Sequence, residues 1–214
     1  NPQLINKSIK MNKFSGTRAA LITPFNNDMS IDFNSLEKLV EFVINGGVDF
    51  LVVLGTTGET TSLSDKEQND VINCIKKTNN SRLPMILGIG GNNTSNVLEK
   101  IISTDLSFFE AILSVTPYYN KPTQEGLYQH YKAISSVSPI PIILYNVPSR
   151  TSVNLSAETT LRLANDFSNI VAIKEASGDL DQIKNILQNK SSNFYVLSGD
   201  DGLTYEMIKN GASG

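Results

Sequence analysis

Short apolar runs alternate along this chain with amphipathic stretches, and little else lies between them. The runs at 18–23, 50–54, 85–88, 111–115, 141–145, 170–174 and 195–198 are rich in branched residues and show no helical period. Runs this short suit strands buried on both faces, as in a parallel sheet. Between them the period changes. After Asp32, residues Phe33, Leu36, Leu39, Val40, Val43 and Ile44 fall on one stripe of a helix that should stop at Asn45-Gly46-Gly47. Ser64 and Glu67 form a capping box for a second helix, running to about residue 77. Helical patterns follow over 94–103, 124–137, from a Ser156 cap to about 165, over 179–188 and over 203–210.

Alternation of this kind, with no linker and no second composition regime, predicts one α/β domain with right-handed crossovers. A doubly wound sheet and a (β/α)8 TIM barrel both meet the pattern. The spacing fits the barrel better, although a barrel needs one more strand than the seven read here. The pattern ends at Gly211-Ala212-Ser213-Gly214, where an eighth strand would begin. The expectation is a barrel truncated before its eighth strand, whose first and seventh strands would expose unpaired edges. Residues 1–10 are polar and lack a signal peptide's apolar core, so they read as a leader or expression remnant ahead of a barrel over 11–214.

Composition narrows the chemistry. The chain is 40% hydrophobic and 18% charged with a net charge of −3, which gives no footprint for nucleic acid or an anionic membrane. No apolar run approaches the length of a membrane span, and the cytoplasm is the default location. Cys74 is the only cysteine and His130 the only histidine. A cysteine cluster, a His-rich metal site and a Ser-His-Asp triad are therefore not expected, and no metal ligands are assigned. Cys74 reads as a packing residue, and His130, in LYQHYKAI, as a surface or satisfied helical residue. Acid–base work falls to Tyr, Lys, Thr or carboxylates.

Reactive residue types collect at strand ends, the edge where α/β folds place their chemistry. Lys174 closes the run IVAIK. An ammonium there must be paired, snorkelling or partly neutral. The neutral amine can attack a carbonyl and form a Schiff base, whereas a paired one is only structural. Tyr145 ends the preceding strand, and adjacent strands lie about 5 Å apart, so phenol and amine should be neighbours and could shuttle protons. Arg150, a few residues on, offers a clamp for a carboxylate. Gly55-Thr56-Thr57-Gly58-Glu59 supplies hydroxyls and free amides to grip a carboxylate, or is a simple turn. Tyr118 and Tyr119, held between Pro117 and Pro122, should point in different directions, one toward a site and one into packing or an interface. Asp200 and Asp201 read as caps of the last helix. Lysine imine chemistry on a keto acid is the reaction this set could support.

Five motifs carry a resemblance. GTTGE at 55–59, TPYYNKP at 116–122, YNVPSRT at 145–151, IKEASGDL at 173–180 and SGDD at 198–201 match, in order and spacing, the pyruvate-dependent class I aldolases and, within them, the dihydrodipicolinate synthase family. The resemblance implies a (β/α)8 barrel with a C-terminal helical segment absent here. It implies condensation of pyruvate with L-aspartate 4-semialdehyde on the lysine and diaminopimelate pathway, with no cofactor beyond a covalent pyruvate imine. Carried over residue by residue, it makes Lys174 the Schiff-base lysine, Tyr145 the proton relay, and Thr56 the link to Tyr119. Tyr119 would come from the neighbouring subunit of a tight dimer within a homotetramer. Thr57 would hold the pyruvate carboxylate, Arg150 would attract that of the semialdehyde, and Gly199 would line the pocket. Asn92 and Tyr118 would remain from a lysine regulatory site at the dimer interface. Asp65, Gln68 and Asn96 stand where lysine-inhibited members often carry histidines and a glutamate. Two other readings remain. One is a related aldolase such as N-acetylneuraminate lyase or a keto-deoxy-sugar acid aldolase, and the other is a truncated, non-catalytic pyruvate-binding protein.

Overall fold

The computed structural model describes residues 14–214. The proposed leader at 1–10 lies outside them. Seven strands pair in sequence order into one parallel sheet: β1 Arg18–Ala20, β2 Phe50–Val53, β3 Met85–Gly88, β4 Ala111–Val115, β5 Ile142–Asn146, β6 Ile170–Glu175 and β7 Tyr195–Ser198. Between and after them run α1 Phe33–Asn45, α2 Asp65–Asn79, α3 Thr94–Ser103, α4 Gln124–Val137, α5 Pro148–Thr151, α6 Ala157–Asp166, α7 Leu180–Asn189 and α8 Thr204–Lys209. Polar residues start most helices where the pattern put them. Asp32 accepts from Ser35 N at 3.0 Å, and Ser64 and Glu67 complete a reciprocal capping box. The described residues form seven strands in the order of a (β/α)8 barrel, not a doubly wound sheet.

The curled sheet has two apolar faces, which is why its strands lack alternation. The outer face packs Leu51, Val53, Leu87, Ile112, Leu144 and Ile173 against the helices. The inner face points Phe50, Val52, Ile86, Leu113, Ile143 and Leu197 into the lumen, and Phe14 joins this inner cluster. β1 and β7 do not pair with each other. The last residues lie between them instead. Ser213 N donates to Val196 O at 2.8 Å, Ser198 N to Gly214 O at 2.7 Å, and Gly16 N to Ser213 O at 2.8 Å. The two edges expected to be bare are partly covered by these contacts.

Two expectations need correction. Of the two readings of His130, the surface one fails and the satisfied one holds for one nitrogen: the residue is 4% exposed, with Nδ1 2.8 Å from Thr94 Oγ1 and Nε2 buried without a partner. Neither Asp200 nor Asp201 caps α8 through its side chain. Asp200 Oδ1 instead accepts from Gly202 N at 2.9 Å, inside its own tight turn.

Candidate active site

Tyr145 and Lys174 are register partners at the C-terminal ends of β5 and β6. Alternation along a strand sends both side chains into the lumen. Lys174 Nζ lies 4.6 Å from the centre of the Tyr145 ring. Tyr145 is 7% exposed and Lys174 half-buried. Burial pulls the Lys174 amine below the ordinary lysine range, and the charge of Asp201 opposes that only in part. Burial pushes the Tyr145 phenol up, while a hydrogen bond with Thr56 and the charge of Arg150 pull it back.

Gly199, at the end of β7, makes room for the amine. A Cβ at this position would stand 2.8 Å from Lys174 Cε and 3.0 Å from its Cγ. The family resemblance implies that Gly199 lines the pocket. Its place against the lysine stem is a packing fact that local pattern could not supply.

The turn carrying the threonines is tightly made. Leu54 and Glu59 both adopt left-handed backbone, with φ of 54° each, and the segment between them coils into a 3-10 turn over Thr56–Gly58. Thr60 Oγ1 donates to Leu54 O at 2.7 Å, and Thr23 Oγ1 to Gly58 O at 2.7 Å. This construction leaves Thr56 and Thr57 exposed on different cavities. Thr57 shares a lumen cavity of about 580 Å³ with Lys174, Gly199 and Asp201. Thr56 shares a neighbouring one of about 520 Å³ with Tyr145, Arg150 and Tyr118. Leu113 lines both cavities, and the 4.6 Å from Lys174 Nζ to the Tyr145 ring spans from one to the other. Arg150, on the short α5, is exposed at its edge.

Tyr119 does not join its chain-mates. It is 88% exposed, has a φ of 72°, and lines neither cavity. Tyr118 turns inward, as the expected divergence of the pair requires. Asn92 offers its backbone carbonyl to Asn120 Nδ2 at 2.9 Å. Lys100 lines the same cavity as Tyr118, and its ammonium donates to Gln68 Oε1 and stands 3.5 Å from Asp65 Oδ1. Lys100 was not singled out from sequence, nor were Gly88 and Gly90. Side chains at those glycines would collide with Leu54 O and with Val115 Cγ1. Among the described residues no group of His, Cys, Asp and Glu is arranged to hold a metal ion.

The geometry is matched by relationships along the whole chain. Residues 13–214 match the model of the dihydrodipicolinate synthetase family. The 4-hydroxy-tetrahydrodipicolinate synthase of Flavobacterium psychrophilum is 55% identical over 204 residues, covering 95% of this chain and 70% of that protein. The enzyme of the same name from Bacillus subtilis is 46% identical, covering 94% and 69%. Among solved structures, dihydrodipicolinate synthase from Thermotoga maritima superposes with a TM-score of 0.90 at 41% identity, over 94% of this chain and 69% of that one. The chloride-inhibited dihydrodipicolinate synthase from Acinetobacter baumannii, complexed with pyruvate, gives 0.89 at 47%, over 94% and 68%. With both its sequence and its fold held in common with these proteins, the chain belongs to the dihydrodipicolinate synthetase family.

Proposed function

We infer that the protein is a lyase, a 4-hydroxy-tetrahydrodipicolinate synthase (EC 4.3.3.7). It joins pyruvate to L-aspartate 4-semialdehyde in lysine and diaminopimelate biosynthesis. The observation that carries this reading is the half-buried Lys174 amine, 4.6 Å from the Tyr145 ring, at adjoining strand ends. An uncharged amine adds to the C2 carbonyl of pyruvate. The carbinolamine then loses water and leaves a protonated imine. The imine draws electrons from the methyl group, whose proton departs. The resulting enamine carbon attacks the aldehyde of the second substrate. The imine nitrogen is the electron sink, so the proposal requires no metal or organic cofactor.

The proton transfers fall to Tyr145, with Thr56 beside it. Thr57, which shares the lumen cavity with Lys174, is assigned to the pyruvate carboxylate. Arg150 is assigned to the semialdehyde's carboxylate at the cavity edge. We assign Tyr119 to the site of a second copy, which its 88% exposure supports, and read the assembly as a homotetramer of two dimers. No helix among the described residues is long and apolar enough to cross a membrane, and a cytoplasmic location is proposed. Lys100, in the same cavity as Tyr118, holds an ammonium against Gln68 and Asp65, a like charge that disfavours free lysine at a regulatory site built on Asn92 and Tyr118.

Incubation with pyruvate and borohydride is the test. The expected result is a reduced pyruvate adduct confined to Lys174. A clean, unmodified mass in folded protein would support the non-catalytic reading. Turnover with aspartate semialdehyde, set against cleavage of N-acetylneuraminate or keto-deoxy-sugar acids, separates the synthase from its aldolase relatives.

A further inference from the structure

One residue beyond the reacting pair, the strands turn their side chains the other way. Asn146 and Glu175 are register partners, both 0% exposed, on the helix side of the sheet. Glu175 Oε1 accepts from Ser177 N at 2.9 Å and Asn146 Nδ2 at 3.0 Å. Its Oε2 accepts from Gln182 Nε2 at 3.1 Å and again from Asn146 Nδ2 at 3.3 Å. Every one of these donors is neutral. Burial pushes the carboxyl above its ordinary range, and the hydrogen bonds oppose that.

The network spreads from there. Asn146 Oδ1 accepts from Leu155 N at 2.9 Å, and Asn146 Nδ2 donates to Asn154 Oδ1 at 2.8 Å. Asn154 Nδ2 in turn donates to Gln182 Oε1 at 2.8 Å. The backbone continues the ladder, with Ala176 N on Asn146 O and Gly199 N on Glu175 O, each at 2.8 Å. One carboxylate thus ties the end of β5, the loop before α6, the end of β6 and the first turn of α7.

A buried carboxylate without a cation is a costly way to close a strand end, because an apolar pair would close it more cheaply. What it supplies is direction. A carboxylate with three donors fixed on it permits one relative placement of the two strand ends. We propose that Glu175 is a positioning residue for catalysis, setting the separation of Lys174 and Tyr145 from the far side of the sheet. This rests on the imine reading of the site.

The test measures borohydride trapping of pyruvate on Lys174 in the purified protein, as rate constant and as final amplitude, across pyruvate concentrations. Glu175→Gln keeps the volume but turns an amide toward donors, and should slow the maximal rate by about 10–100-fold. The half-saturating pyruvate concentration and the amplitude should move far less. Gln182→Ala removes one donor from the edge of the network and should give a smaller loss of the same kind. That variant decides the matter if Glu175→Gln does not fold. A merely structural role predicts the reverse: lower melting temperature and lower amplitude at an unchanged rate constant, which would overturn the proposal. If the parent protein traps no pyruvate, it is the imine reading that fails.

Discussion

At the scale of single residues, the proposed site depends on an amine whose burial favours its uncharged form and on a phenol close to it. Only the neutral amine attacks, so trapping of pyruvate should speed up as pH rises. Because burial holds Lys174 below its ordinary value of 10.5, the rise should level off below that pH. A plateau found only above it would mean that burial leaves the amine unperturbed. Replacing Tyr145 by Phe removes the proposed relay while keeping the ring that fills the lumen, so turnover should fall by roughly 10²–10⁴-fold with the fold retained. Near-normal turnover would remove the relay. Gly199 tests position without touching any polar group. In Gly199→Ala the new methyl would press on Lys174 Cε from 2.8 Å, and imine formation should slow by about 10²-fold while the melting temperature moves little.

At the scale of elements, what the sequence made legible was whatever depends on neighbours along the chain. The strands at 85–88, 111–115 and 195–198 and the helices at 94–103 and 124–137 fall where their patterns predict. The 3-10 turns at Thr56–Gly58 and Thr60–Ser62, and the helix Pro148–Thr151, were not foreseen. Left-handed residues bound them, Leu54 and Glu59 around the turns and Ser152 after the helix, and no hydrophobic period marks them. The juxtaposition of Tyr145 and Lys174 was readable because parallel register sets them side by side. The network around Glu175 was not, since its members lie on β5, β6, α7 and the loop before α6. His130 shows the same limit, because its burial depends on α3 packing across α4. The charged ring carries a proton on both nitrogens, Nε2 has no acceptor for its own, and burial pushes the pKa down to about 4 from 6.5. Unfolded chains take up this proton as pH falls through 6.5, whereas the native state resists until about 4. Stability should therefore fall across that window, by up to about 3 kcal/mol from this group. Denaturant midpoints measured between pH 7 and 4 check it, and His130→Gln should flatten that part of the profile.

At the scale of the whole molecule, the question is where Tyr119 acts. It stands 88% exposed on a backbone with φ of 72°, between a proline on either side, and lines neither cavity of its own chain. An aromatic held outward at some conformational cost suits an interface better than solvent. If it completes the site of a second copy, two damaged proteins should repair one another. Tyr145→Phe disables a chain's own relay, and Tyr119→Phe disables the relay it lends. In a mixed dimer with two-fold symmetry of contacts, one site then carries both lesions and the other carries neither. Subunit exchange between the two variants, each nearly inactive alone, should restore activity in up to about half the sites of each mixed dimer. A mixture no more active than its parts, with exchange verified by mass, would return Tyr119 to its own chain and leave the dimer without a catalytic reason.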